Sequence, residues 1–432
     1  MKSGNDSVLN TRLDNGLEVR LQEMHTAPVI SSWVWYRVGS RNESPGCTGI
    51  SHWVEHMQFK GTPRFPAGEL DRAISRDGGY WNAFTYLDWT AYFETMPADR
   101  IQLSLDLESD RMVNSQFEPD EVASERTVII SERQGHENDP GFRLSEEIRA
   151  AAFRVHSYHH EVIGDMADLE TMTRDDLYEH YRRYYVPSNA VFAMAGDFTA
   201  EEILPRVEDA FGGIPAGAAP PLQIRKEPAQ QGERRVTVEG PEETEQLVLS
   251  YRAPRAQHED FLPLAVLDSV LAGASSLNFF AGGLSNKTSR LYEALVDGEF
   301  AASVQGSLVA TIDPYLYQLH ATIRPDRTPE DVLCALDKEI DRVLQKPISE
   351  AELERAIKQA RALFAYSSET ITNQAFWMGY TEMFADFSWF ESYLDQLTSV
   401  TASDVLQAAQ TYLLPSQRVV GMYRKAGGAD HA

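Results

Sequence analysis

The sequence predicts an α+β fold of two similar domains, each a mainly antiparallel sheet with helices packed on it. Three observations carry this reading. The 432-residue chain mixes strand hairpins with helical segments, an order that suits α+β better than a doubly wound parallel sheet. A segment recurs half a chain away: residues 173–191 read TRDDLYEHYRRYYVPSNAV and residues 401–419 read TASDVLQAAQTYLLPSQRV. Thr173/Thr401, Asp176/Asp404, Tyr184/Tyr412, Pro187/Pro415, Ser188/Ser416 and Val191/Val419 all align at one offset, 228. Each copy reads as a Thr-capped helix with an acid at its third position, a Pro-Ser break and a strand. Residues 213–232 between the copies are rich in Pro, Gly, Ala and Gln and have no sustained period. We therefore place a first domain at 1–215, a linker at 216–232 and a second domain at 233–432.

Along the first domain, residues 17–21 alternate apolar and polar, and residues 29–38 form a strand-like run containing Trp33, Trp35 and Tyr36. Gly46, Thr48 and Gly49 introduce a helix over residues 50–59, stopped near Gly61 and Pro63, and a second helix covers 68–76. A hairpin follows, with strands at 80–85 and 90–96 and a turn near Asp88. Residues 101–112 alternate like a strand at Ile101, Leu103, Leu105 and Leu107, but Pro97 and Asp99 open the segment like a helix, and we read a helix. A charged helix at 118–135, helices at 144–153 and 174–184 and a strand at 190–196 complete the domain. After the linker, strands at 235–238 and 246–251 precede a helix at 260–271.

Composition narrows the function. With 39 Lys+Arg against 65 Asp+Glu, the net charge is −26 with His neutral. This disfavours nucleic acid and anionic membrane surfaces as partners and favours solubility. Cys47 and Cys334 lie far apart without a CxxC, which excludes a disulfide scaffold and a Cys-rich metal site and predicts two buried free thiols. No apolar run approaches the ~18 residues of a membrane span. The N-terminal MKSGNDSVLNTRLDNG has no apolar h-region, so we expect no signal peptide in this chain and a cytoplasmic or periplasmic location.

The chemistry signal is His52-Trp53-Val54-Glu55-His56. On a helix, His52 and His56 stack at i and i+4, and their imidazoles can converge on one cation. Glu55 flanks that face, where its carboxylate reaches a metal-bound water without being a ligand. The pattern is the mirror order of H-E-x-x-H and a zinc peptidase arrangement. Chance would place it in a chain of this composition roughly 0.02 times. Ile50, Trp53, Val54 and Met57 form the apolar side of the helix, leaving His52, Glu55, His56 and Phe59 as a separate stripe. A catalytic zinc takes three protein ligands and a water, so a third ligand is needed. The 118–135 helix offers Glu125 and Glu132, two turns apart on one face, and neighbouring acids including Glu121 and Glu137. Val128, Ile129 and Ile130 suggest partial burial there. Spacing alone does not rank Glu125 against Glu132.

The segments NGLEVRLQE, VWYRVGSRNESPGCTGISHWVEHMQFKGT and GGYWNAFTYLDWTAYFETMPADR resemble the insulinase/pitrilysin (M16) zinc peptidases, most closely the roughly 50-kDa branch related to mitochondrial processing peptidase. The resemblance continues through SERTVIISERQGHENDP and YHHEVIGDMADLETMTRDDLYEHYRRYYVPSNAV and covers nearly the whole chain. It implies one Zn²⁺ per chain on His52, His56 and Glu132, with Glu125 as the carboxylate that holds a ligand His. It implies a metal-activated water with Glu55 as general base. It further implies a peptide substrate held as an added strand along Asn82, Ala83, Phe84 and Thr85. The aromatic residues Tyr80, Trp81, Tyr86, Trp89, Tyr92 and Phe93 around this segment read mostly as core.

The second domain carries no H-x-x-E-H; LPLAVLDSVLAGASS stands where it would fall, so this domain reads as a non-catalytic copy. Family members place a substrate-contacting Arg and, seven residues on, a Tyr in a segment like SRLYEALVDGEFAASV. Here Val296 and Ser303 occupy those positions, while Arg290 and Tyr292 sit at the segment's start. Members enclose substrate between two halves of two domains each, so this chain resembles half of a clamshell. The expected partner is a homologous subunit supplying the Arg/Tyr pair, a heterodimer in which this chain carries the zinc. A homodimeric processing-type peptidase and a non-catalytic zinc-binding structural subunit are the alternatives, and a binding module with an incidental HWVEH is a third.

Overall fold

The structure, a computed structural model, describes residues 8–218, 225–278 and 284–426. Within the expected linker, residues 219–224 lie outside the described residues. The strands are β1 (Leu9–Arg12), β2 (Glu18–Glu23), β3 (Val29–Tyr36), β4 (Tyr80–Thr85), β5 (Thr90–Pro97), β6 (Ala190–Gly196), β7 (Arg234–Gly240), β8 (Gln246–Arg252), β9 (Ala301–Leu308), β10 (Leu316–Ile323) and β11 (Arg418–Lys425). The helices are α1 (Ile50–Met57), α2 (Glu69–Arg76), α3 (Ile101–Asn114), α4 (Pro119–His136), α5 (Pro140–Ala152), α6 (Met166–Thr171), α7 (Arg174–Tyr184), α8 (Ala200–Phe211), α9 (Phe261–Leu271), α10 (Pro329–Gln345), α11 (Glu350–Ser367), α12 (Ile371–Tyr380), α13 (Phe387–Ser399) and α14 (Ala402–Tyr412). Among the described residues no helix is long and apolar enough to cross a membrane.

The α+β class holds. Two compact units form: Met1–Gln134 with His160–Ile224 and Ser368–Phe390, and Gly135–His159 with Arg225–Ser367 and Glu391–Ala432. Each unit is therefore discontinuous, having taken one segment from the other half of the sequence. The first unit has a six-stranded sheet ordered β1-β2-β6-β3-β5-β4, the second a five-stranded sheet ordered β7-β11-β8-β10-β9. The two sheets repeat one pattern. β6 pairs parallel with β2 and antiparallel with β3; β11 pairs parallel with β7 and antiparallel with β8. All other pairings are antiparallel. The repeated sequence segment is the α7–β6 and α14–β11 connection. Both capping boxes form, Thr173 with Asp176 and Thr401 with Asp404, each satisfying backbone N–H groups at a helix start. β6 (AVFAMAG) is buried at every position, as a central strand covered on both faces must be.

In the first unit α12 lies on β3 and β6. The Trp33 ring stacks on Phe93 at 4.1 Å and meets Phe376 edge-on at 5.6 Å. A Cβ on Gly379 would lie 2.1 Å from the Trp35 ring, so only glycine lets α12 approach this closely. In the second unit α5 lies on β7 and β11, where Gly421 faces Ile148 in the same manner.

Helix α3 resolves the ambiguous segment. Ile101, Ser104, Leu105, Glu108, Arg111 and Met112 are buried at helical spacing, so the 3.6-residue period prevails over the apparent alternation. One expectation is corrected, and the partial burial expected around residues 128–130 is found. Cys334 is exposed and Cys47 half-buried, although both are free thiols as expected. Of Val128, Ile129 and Ile130, only Ile129 is buried and Val128 is exposed. Consecutive helical residues turn by about 100°, so three in a row do not share one face.

Candidate metal centre

Helix α1 begins at a buried carboxylate. Glu43 accepts from the N–H of Gly49 at 2.8 Å and of Ser51 at 2.9 Å, satisfying donors at the positive helix end. Gly49 sits at φ +86°, and a Cβ there would meet the Ile163 carbonyl at 2.3 Å. Ile50, Trp53, Val54 and Met57 are buried and anchor the helix. His52 and His56 then stack one turn apart, with ring centroids 4.6 Å apart.

Helix α4 supplies the acids. His56 Nδ1 lies 2.7 Å from Glu125 Oε1. An ionised carboxylate only accepts, so Nδ1 carries the proton and the Nε2 lone pair faces the other way. Lys60 Nζ lies 2.5 Å from Glu125 Oε2. Burial pushes the Glu125 carboxyl up, but the hydrogen bonds to His56 and Lys60 outweigh it and hold its pKa below the ordinary value. Burial works against a charged His56 too, yet Glu125 and the carboxylates around it carry its pKa above the ordinary value. Glu132 Oε2 lies 3.7 Å from His56 Nε2 and 3.9 Å from His52 Nε2. Among the described residues, His52, His56 and Glu132 form a group whose ligand atoms all lie within 4.8 Å of one another.

This donor set fits zinc. Two imidazole nitrogens and one carboxylate oxygen make a catalytic-type triad. Tetrahedral geometry at ~2.05 Å requires ligand atoms about 3.3 Å apart; the two Glu132 separations of 3.7 and 3.9 Å are close to this, and the whole group lies within 4.8 Å.

Glu55 is buried beside this triad, and Thr85 Oγ1 donates to its Oε2 at 2.6 Å. Burial raises its pKa to about 7; the Thr85 hydrogen bond and His56 oppose the shift, and Glu132 adds to it. Such a group takes and returns protons near neutral pH. Thr85 closes β4, and β4 is the outermost strand of its sheet. Asn82, Ala83 and Phe84 therefore lie on the free edge as well. The Ala83 N–H is met by the neighbouring Asn82 Oδ1 at 2.9 Å. Of the aromatic residues here, Trp89, Tyr92 and Phe93 are core as expected, Trp81 and Tyr86 are half-buried, and Tyr80 is exposed.

The second-unit positions are plain. Val296 lies in a short wide helical turn, Tyr292–Asp297, and Ser303 lies on β9, donating to Thr322 Oγ1 at 3.0 Å. Arg290 makes a two-pronged ion pair with Glu352 at 2.7 and 3.0 Å, which with the Ser349 contacts depresses the Glu352 carboxyl to about 2. That pair makes Arg290 a structural residue.

Sequence reasoning missed Glu43, Lys60 and the link between Thr85 and Glu55. Lys60 lies three residues beyond the end of α1, so no helical spacing announces it.

The sequence profile described as Insulinase (Peptidase family M16) matches residues 18–166, and that described as Peptidase M16 inactive domain matches residues 171–360. The chain is 30% identical over 415 residues to the zinc protease PqqE of Helicobacter pylori, covering 94% of this chain and 90% of that protein. The chain belongs to the insulinase family, peptidase M16. It is 27% identical over 354 residues to the probable mitochondrial-processing peptidase subunit beta of Arabidopsis thaliana, 82% of this chain and 66% of that protein. The crystal structure of a protease from Helicobacter pylori matches it with a TM-score of 0.90 at 27% identity, over 97% of this chain and 99% of that one. The M16 relatives named here include a zinc protease, and metallopeptidase chemistry is the family-level function.

Proposed function

We propose that this M16 chain is a zinc-dependent endopeptidase. The observation that carries the reading is the convergence of His52, His56 and Glu132, with the buried Glu55 beside them. One Zn²⁺ per chain is held by these three residues. When bound, the metal polarises a scissile carbonyl and lowers the pKa of a water. Glu125 fixes the His56 ring through Nδ1, so Nε2 stays aimed at the ligand cluster. Glu55 takes the proton of the attacking water and returns it to the leaving amine. The peptide adds as a strand to the free edge of β4 along Asn82, Ala83, Phe84 and Thr85, gaining main-chain hydrogen bonds.

The second half, from residue 233, acts as a non-catalytic copy; the inactive-domain profile over residues 171–360 supports this. With Val296 and Ser303 at the substrate-contact positions and Arg290 held by Glu352, this chain is the zinc-carrying subunit of a heterodimer that closes around peptide. A relative named as a subunit of a processing peptidase is consistent with that pairing. A retired structural subunit has no use for a buried base beside its metal site, which disfavours the non-catalytic alternative.

Glu55→Gln is the test. The variant keeps zinc and loses peptide hydrolysis by about 10²–10⁴-fold, the contribution of a general base. Hydrolysis at the wild-type rate in the zinc-loaded variant would remove the base assignment.

A further inference from the structure

We propose that Thr85 is a positioning residue for Glu55, fixing the carboxylate so that one oxygen stays turned toward the attacking water. The proposal rests on the reading of Glu55 as the base.

Thr85 Oγ1 donates to Glu55 Oε2 at 2.6 Å, and the Thr85 backbone lies close enough to the same carboxyl to favour its charged form. The backbone geometry explains how. At the β4–β5 turn, the Tyr86 N–H donates to the Trp89 carbonyl at 2.9 Å, and Thr85 stands opposite Thr90. Hydrogen-bonded and open pairs alternate in an antiparallel ladder, so the Thr85 N–H points off the free edge. The Thr85 hydroxyl proton is also committed. A hydroxyl has one proton to give. Thr90 Oγ1 gives its proton to the Val38 carbonyl at 2.9 Å and sits 3.2 Å from Thr85 Oγ1. The Thr90 hydroxyl, 3.2 Å away, is a more distant and weaker acceptor than the Glu55 carboxylate at 2.6 Å, so the Thr85 proton goes to Glu55. The β-branched side chain adds stiffness at χ1.

Glu55 needs such a partner. A glutamate carries three side-chain torsions, and displacement of a reacting group by about 1 Å can cost 10²-fold in rate. The hydroxyl bond from this rigid residue holds Oε2 and leaves Oε1 for the reacting water. Because Thr85 also ends the edge strand, the peptide would seat on the same residue that aims the base.

The experiment compares Thr85→Val, which keeps shape and loses the hydroxyl, with Thr85→Ser, which keeps the hydroxyl. Each is measured in the zinc-loaded full chain with its partner subunit for kcat and KM on a fluorogenic peptide. Zinc affinity is measured separately by chelator competition. Thr85→Val is expected to lower kcat about 10–100-fold, with KM and zinc affinity within about threefold and Thr85→Ser restoring most of kcat. An unchanged kcat in Thr85→Val, a matching loss of zinc affinity, or no rescue by Thr85→Ser would overturn the proposal. Glu55→Gln run alongside separates the two claims. If Glu55→Gln stays active, the reading of Glu55 and this proposal fall together; if it is inactive while Thr85→Val equals wild type, only the positioning role falls.

Discussion

The candidate ligand His56 is held from outside the cluster. His56 leans on Glu125, Glu125 on Lys60, and helix α1 on Glu43. Loss of an outer partner costs 10–100-fold in metal affinity, so Glu125→Gln is expected to weaken zinc binding by about that factor in a chelator titration. Residue-level legibility followed local geometry. His52, Glu55 and His56 were readable because an i, i+4 pair is fixed by the helix itself. Spacing does not rank Glu125 against Glu132, because two turns place both on one face; the family resemblance implies Glu132 as the ligand, and the packing has Glu125 behind His56 Nδ1 and Glu132 beside Nε2. Thr85 and Glu55 are thirty residues apart, so no local pattern announces their bond. A second buried acid yields a pH prediction. Asp268 accepts from Tyr317 and Ser275, both at 3.0 Å, and burial raises its pKa from 3.8 to about 7. The folded pKa exceeds the unfolded one, so the folded state binds the proton more tightly between these values. Stability from this group is full below about pH 4 and is lost as pH rises through 7. The loss is on the order of 4 kcal/mol for the fully buried carboxyl. In denaturant titrations, the stability of Asp268→Asn relative to wild type should therefore rise from pH 4 to 7 and then level off. A difference independent of pH would contradict the shift.

Among the elements, α12 and α5 show where sequence order stops being a guide. The internal repeat was legible because capping boxes and Pro-Ser breaks are local signals, and both copies form as read. The exchange of residues 135–159 and 368–390 between units was not, because it depends on side chains meeting across the sheets. The Trp35–Gly379 contact is one such meeting. Gly379→Ala forces a methyl into the indole and should lower stability by about 1–3 kcal/mol, as overpacking does; thermal unfolding measures it. Thr401→Ala, which removes the cap of α14, should cost about 1 kcal/mol. The hairpin β4–β5 was readable from alternation and a turn signal. That β4 ends the sheet was not, since edge position depends on the whole strand order.

For the molecule as a whole, the net charge of −26 and the two-unit architecture frame the substrate and the partner. An acidic surface raises the local concentration of cationic ligands, so basic peptides should be cleaved faster than acidic ones of matched length, with the difference shrinking as salt rises. Equal rates at low salt would remove the charge effect. The chain alone is expected to bind zinc but cleave poorly, and addition of a homologous subunit carrying the Arg/Tyr pair should restore turnover; full activity of the isolated chain would contradict the heterodimer. The central claim is the metal centre, and zinc content measured on the purified chain and on His56→Ala tests it most directly. The account predicts one zinc per wild-type chain and its loss in the variant. Wild-type chain without stoichiometric zinc, or equal zinc in both, would contradict it.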